Sequence, residues 1–134
     1  KFNRQTDVDG NVTFTGMVTD DYELVVGIWG YNTICTSINL PTGVNSSENI
    51  ELTEGYFDDF SFDFGWTASG GAPDGIWERA EPFGTNSGPN QINPEFDASG
   101  DCLDMAYVTG NSSSGGVGAD DVDIADVVLT SPVM

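Results

Sequence analysis

Phe60-Ser61-Phe62-Asp63-Phe64-Gly65-Trp66 places four large aromatic side chains at every second position, with small or acidic residues between them. A pleated strand sends alternate side chains to opposite faces, so this spacing predicts a strand with one aromatic, core-facing side. Four aromatics on one face serve a core more readily than a ligand platform. Working outward, the same period recurs. Val12, Phe14 and Gly16 alternate; Tyr22, Leu24, Val26 and Ile28 line one face; Ile34, Ile38 and Leu40 line another, ending at Pro41. Ile50-Glu51-Leu52 reads as a short strand, and 105–109 and 127–133 as two more. With 17 glycines and 6 prolines, no window of helical length escapes a breaker or a β-rich run. The chain is therefore expected to be all-β, an antiparallel β-sandwich.

A length of 134 residues suits one ordinary domain or two small ones. The charge divides unevenly. Residues 1–54 hold 8 acids and 2 bases, a net of −6, and residues 55–134 hold 14 acids against Arg79, a net of −13. The formal total of −19 disfavours DNA or RNA as partners, because phosphate recognition depends on Lys and Arg. It also creates self-repulsion that cations would relieve. Asp outnumbers Glu by 15 to 7, a bias toward turns and metal loops more than toward a helical acidic surface. Arg79, the only base after Arg4, is expected to pair with a nearby carboxylate.

Four carboxylates, Asp120, Asp121, Asp123 and Asp126, fall within seven residues, after the Ser/Gly-rich 110–118 and before an apolar run. Flexible backbone followed by clustered hard oxygens suits a structural calcium site; a solvated acidic loop is the equal alternative. If 121–124 is extended, Asp121 and Asp123 share one face while Val122 and Ile124 pack inward, leaving Asp126 in solvent. The 81–100 segment, with Pro82, Gly84, Pro89 and Pro94, reads as a long loop, and such loops are usually functional or clamped. Asp97 and Asp101 near its end are the candidate clamp and further metal ligands. Asp7-Val8-Asp9-Gly10 resembles the start of a calcium loop but lacks the later ligand positions, including the closing Glu, so it reads as a hairpin turn.

Cys35 and Cys102, if bonded, would close a long loop and stabilise the fold by roughly 4 kcal/mol; free buried cysteines are the alternative. No run is apolar and long enough to span a membrane. No signal peptide is visible, so any secretion signal is expected upstream of Lys1. Asn11, Asn45 and Asn111 open N-glycosylation patterns, which recur by chance.

Residues 1–54 resemble the end of a carboxypeptidase regulatory-like (transthyretin-like) domain. The resemblance rests on Asp9-Gly10 before Val12-Thr13-Phe14, then Tyr22-Glu23-Leu24-Val25-Val26, Gly30-Tyr31 and Ile50-Glu51-Leu52. Residues 55–134 resemble the first portion of a jelly-roll domain. There it rests on Asp58-Asp59-Phe60, Gly65-Trp66-Thr67, Gly75-Ile76-Trp77-Glu78-Arg79, Tyr107-Val108-Thr109-Gly110-Asn111, Asp121-Val122-Asp123 and Leu129-Thr130-Ser131-Pro132. Both occur together in secreted metallocarboxypeptidases and other proteases of the Bacteroidetes type. The resemblance implies an extracellular or cell-surface accessory region, a transthyretin/Ig-like part followed by a partial jelly roll. It also implies calcium at Asp121 and Asp123, with Asp120 as a further ligand. Two features depart from it. Ile124-Ala125 stands where the family has Gly-Gly, and the family's domains extend beyond both ends of this chain. Unpaired strand edges are therefore expected, to be completed by another domain, another copy of the protein or a further segment.

Three function classes follow. The first is a non-catalytic, calcium-stabilised extracellular β-sandwich segment of a larger secreted protein, acting as a spacer, docking or adhesion module. The alternative is a carbohydrate-binding module of a secreted hydrolase, stacking polysaccharide on Trp29, Trp77 and Tyr31, with Trp66 kept for the core face. Catalysis ranks last. The absence of histidine removes Ser-His-Asp and Cys-His nucleophile systems and His-ligated zinc. Carboxylate pairs alone can hydrolyse glycosides, but no pair stands out among 22 acids.

Overall fold

The computed structural model describes residues 1–113, 116–118 and 120–134. Among these there is no helix, and the strands are β1 (Asp20–Val26), β2 (Ile34–Leu40), β3 (Thr67–Gly70), β4 (Glu78–Ala80), β5 (Thr85–Ser87), β6 (Asn90–Asn93), β7 (Ala106–Val108) and β8 (Val127–Thr130). The fold is all-β. The strands hydrogen-bond in pairs as β1-β2, β3-β8, β4-β7 and β5-β6. Three of these pairs are antiparallel, with Thr67 opposite Thr130, Arg79 opposite Tyr107, and Ser87 opposite Asn90.

Contacts divide the chain into two compact units, Lys1–Leu24 with Thr36–Asn49, and Val25–Cys35 with Ile50–Met134. In the first unit, Asp7 Oδ1 accepts the amides of Asp9 and Asn11 at 3.0 and 2.8 Å, and Gly10 N donates to Asp7 O. The Asp-x-Asp-Gly fragment is thus a turn that satisfies its own backbone. The alternation at Val12, Phe14 and Gly16 produces no strand, and Val12 is exposed. Asn39 Nδ2 donates to Asp21 Oδ1 at 2.7 Å, and the β2 residues Thr36, Ile38 and Leu40 are half-buried while Ser37 and Asn39 are exposed.

The second unit departs from expectation at its centre. Residues 60–66 do not form a strand. Asp58, Asp59 and Asp63 each turn a carboxylate onto the amide two residues ahead, to Phe60, Ser61 and Gly65 at 2.8, 3.0 and 3.0 Å. Such side-chain turns compete directly with a ladder for the backbone donors, and Phe60 takes φ 56 as a result. The aromatic residues still cluster, though from a curled segment instead of one face of a strand. Phe60 and Trp66 lie 5.5 Å apart, Phe62 and Phe64 5.7 Å, and Trp29 meets both Phe64 and Trp66.

Arg79 holds the curl in place. The sequence pairs it with a carboxylate; the structure instead directs Nε to Phe60 O and Nη2 to Ser61 O, both at 2.7 Å. Carbonyls freed by the turns need donors, and a guanidinium on β4 supplies two in fixed geometry. Apolar burial is thin. Ala72 is the one apolar residue among those described that is buried, while Asp59, Ser61 and Thr85 are polar and equally buried.

The 81–100 segment, expected as a loop, contains the β5-β6 hairpin around Gly88-Pro89. Ile92 is its one apolar strand residue and all but Thr85 are exposed, so no hydrophobic alternation announced it. Asn111 clamps the approach to this hairpin, accepting Phe83 N through Oδ1 at 2.8 Å and donating to Glu81 O through Nδ2 at 3.0 Å. Cys35 and Cys102 form a disulfide across a sequence separation of 67, with Cα atoms 5.4 Å apart. Ile50-Glu51-Leu52 is not a strand; the only ladder contact nearby is an isolated antiparallel bridge between Tyr31 and Glu54.

Candidate functional site

Two constellations in the second unit place chemically useful groups together. The first grows from the curl at Asp58. Asp58 Oδ1 takes the Phe60 amide, and Oδ2 takes the Trp66 indole N–H at 2.7 Å. That bond fixes the Trp66 ring, and Trp29 stands nearly perpendicular to it, centroids 6.3 Å apart at 89°. Trp29 is itself anchored by its indole N–H on Val133 O at 3.0 Å and packs edge-on against Tyr56 at 5.8 Å. Together these rings line a cavity of about 340 Å³, with Phe60, Asp58 and Ser131 completing much of the wall.

The second constellation gathers acids. Asp59 is 4% exposed, and its Oδ2 accepts the Cys102 amide at 3.3 Å, beside the disulfide. Asp97 Oδ2 is buried without a hydrogen-bond partner. Desolvation raises the Asp101 carboxyl above its ordinary value, and the negative charges of Asp97 and Asp59 push it further. The three carboxylates are thus electrostatic neighbours. They are not a converged ligand set, since among the described residues no three acidic or sulfur side chains come together as a metal centre would require.

The other expected ligands lie elsewhere. Asp120, Asp121 and Asp123 are exposed, while Gly115 and Ala119 of that stretch and Ser114 before it lie outside the described residues. The inward packing expected of Val122 and Ile124 is not what forms. Ile124 is 99% exposed with φ 73, and Ala125 N donates to Asp123 O, so the segment turns where an extended run was expected. What anchors it is backbone. A Cβ on Gly75 would sit 2.7 Å from Val122 N and 2.8 Å from Asp120 O, and one on Gly110 would sit 2.7 Å from Asp120 O. Both glycines have positive φ as well.

Of the expected carbohydrate platform, only Trp29 lines the aromatic cavity. Trp77 and Tyr31 are half-buried and do not border it. Trp66, assigned to the core, is part of its wall. Sequence reasoning missed Tyr56, Asp58 and Asp59. The adjacent Asp58-Asp59 pair was the available signal, because neighbouring residues on a curled backbone serve two different sites. Comparison with protein-family models, curated proteins and solved structures finds no match to this chain.

Proposed function

We propose that this chain is a non-catalytic, calcium-stabilised β-module of an extracellular protein that works through its surface, as a docking or assembly unit. The observation that carries the reading is the distribution of apolar side chains. Ala72 alone is buried among the described apolar residues, while Phe57 is 59% and Phe96 66% exposed. Isolated exposed apolar residues are ordinary; large aromatics left open beside an almost polar interior call for a covering partner. Phe83 and Phe96, both exposed, border a second depression of about 560 Å³ with Tyr107 and Val108. The partner expected there is another domain or a second copy of this protein, and the short exposed strands offer ladder edges to it.

The disulfide supports an oxidising, extracellular setting. Among the described residues no helix is long and apolar enough to cross a membrane. For calcium the support is the orphaned Asp97 Oδ2 and the negative charge of Asp101 and Asp59 near it; the three carboxylates do not converge on one point, so an ion would have to draw them together. Asp97 and Asp101 are the better supported ligands; Asp121, Asp123 and Asp120 would serve a second, more exposed site.

Thermal unfolding with calcium or chelator, read alongside size by light scattering, tests both halves. Calcium at one hundred times its dissociation constant is expected to stabilise by about 2.7 kcal/mol, a rise of several degrees in Tm. Without the partner, self-association or dye binding to exposed apolar surface is expected. A monodisperse monomer that binds no such dye and unfolds identically with and without calcium overturns the reading.

A further inference from the structure

We infer that the cavity beside Trp29 is a binding site for a quaternary ammonium cation. This goes beyond the docking reading and does not depend on it. The site combines two features that such a cation needs. Its walls are aromatic rings set steeply to one another: Trp29 to Trp66 at 89°, Phe60 to Trp66 at 75° and Trp29 to Tyr56 at 64°. Rings meeting at these angles border the space from several directions, and aromatic faces attract cations through their quadrupole. The second feature is Asp58, which lines the same cavity.

The Asp58 carboxylate is held in position by the Phe60 amide and the Trp66 indole. Both donors are neutral, so its negative charge is oriented without being cancelled. The chain has only three basic residues against 22 acids, and Arg79 is directed at the carbonyls of Phe60 and Ser61. A cation from outside therefore meets an uncompensated carboxylate among aromatic walls.

The same lining argues against a sugar. A saccharide brings many hydroxyls, and each one buried without a partner costs binding energy. Among the residues bordering the cavity, Asp58 and Ser131 are the polar side chains apart from the aromatic tips, and each Asp58 oxygen already gives one acceptor position to the Phe60 amide or the Trp66 indole, too few remaining for a many-hydroxyl ligand. A trimethylammonium group needs no hydrogen bonds at all. A primary ammonium would need three acceptors and would keep its water instead.

Titration of the ¹⁵N-labelled protein with choline chloride, followed at the Trp29 and Trp66 indole N–H signals, tests the inference at constant ionic strength. The neutral carbon isostere 3,3-dimethylbutan-1-ol and methyl glucoside run in parallel. Choline is expected to give saturable shifts at both indoles and to bind about tenfold more tightly than the isostere. Tyr56→Ala is expected to weaken choline about tenfold as well; Tyr56 is 63% exposed, so its loss leaves the fold in place. Asp58→Asn is expected to act in the same direction, with Tyr56→Ala deciding if that variant does not fold. Phosphatidylcholine vesicles that sediment with the protein and are competed by choline assign the cation to a lipid headgroup. Binding of free choline without vesicle binding assigns it to a soluble quaternary ammonium compound. Equal affinity for the isostere, saturation by methyl glucoside alone, or no saturable shift overturns the inference.

Discussion

Asp59 and Asp101 show how one side-chain type acquires different roles within one electrostatic neighbourhood. Asp59 is buried and accepts backbone amides with both oxygens, so it acts as structural glue for the curl. Asp101 is raised above the ordinary carboxylate value, first by desolvation and then by the charges of Asp97 and Asp59. A carboxyl raised in the folded state disfavours folding when ionised. That cost is complete above its folded pKa and vanishes as pH falls below the unfolded value of 3.8. Stability relative to an Asp101→Asn variant should therefore rise as pH is lowered through that window. Urea melts of both proteins from neutral pH downward check it, and parallel curves would show that Asp101 is not coupled to folding. Asp7 carries the opposite sign. Its carboxyl is lowered chiefly by the Asn11 amide, so its turn is expected to hold above 3.8 and to loosen as pH falls through its lower folded value.

At the scale of elements, the 60–66 segment shows what alternation can and cannot convey. Period two marked β1 and β2, and the short runs at 105–109 and 127–133 marked β7 and β8. Period two failed at 60–66 because Asp58, Asp59 and Asp63 capture the backbone donors first. The aromatic positions were legible as a packing unit, but their conformation depended on acceptors that a hydrophobicity pattern ignores. The β5-β6 hairpin was illegible for the converse reason, since a pair of short strands whose one apolar residue is Ile92 has no apolar face to betray it. Glycine positions proved equally informative. Gly75 and Gly110 allow the 120–122 backbone to approach closely, so Gly75→Ala meets both a steric block and a positive φ of 73. It is expected to cost roughly 2–4 kcal/mol. Gly43→Ala, at φ 69 with open space around it, should cost about 1 kcal/mol, from backbone strain alone. Denaturant midpoints separate the two; equal losses would mean the close approach contributes nothing.

For the whole molecule, the sequence conveyed class better than site. All-β character followed from breakers and short alternating runs, which are local properties. The site did not, because Trp29, Tyr56, Asp58 and Trp66 meet only once the chain has folded. The expected calcium ligands show the same limit. Asp121 and Asp123 stood out by density, whereas the orphaned oxygen belongs to Asp97, which the sequence offered only as the clamp and further ligand of a long loop. Polar partners explain why the unit holds together around so little apolar burial. Arg79, Asn111 and the three aspartate turns satisfy backbone groups that a larger core would have enclosed in sheets.

The Cys35–Cys102 bond has a consequence for how the protein meets proteases. Residues 41–49 are exposed throughout and form no strand, the kind of segment that is cut first. A cut there falls between the two cysteines, so both fragments stay covalently joined. Brief trypsin-independent digestion, for example with a protease that cleaves after Glu48, should leave one band on a non-reducing gel and two after reduction. Separation without reductant would mean the bond does not form. In a protease-rich surrounding, the bridge would let this chain be nicked without being dismantled.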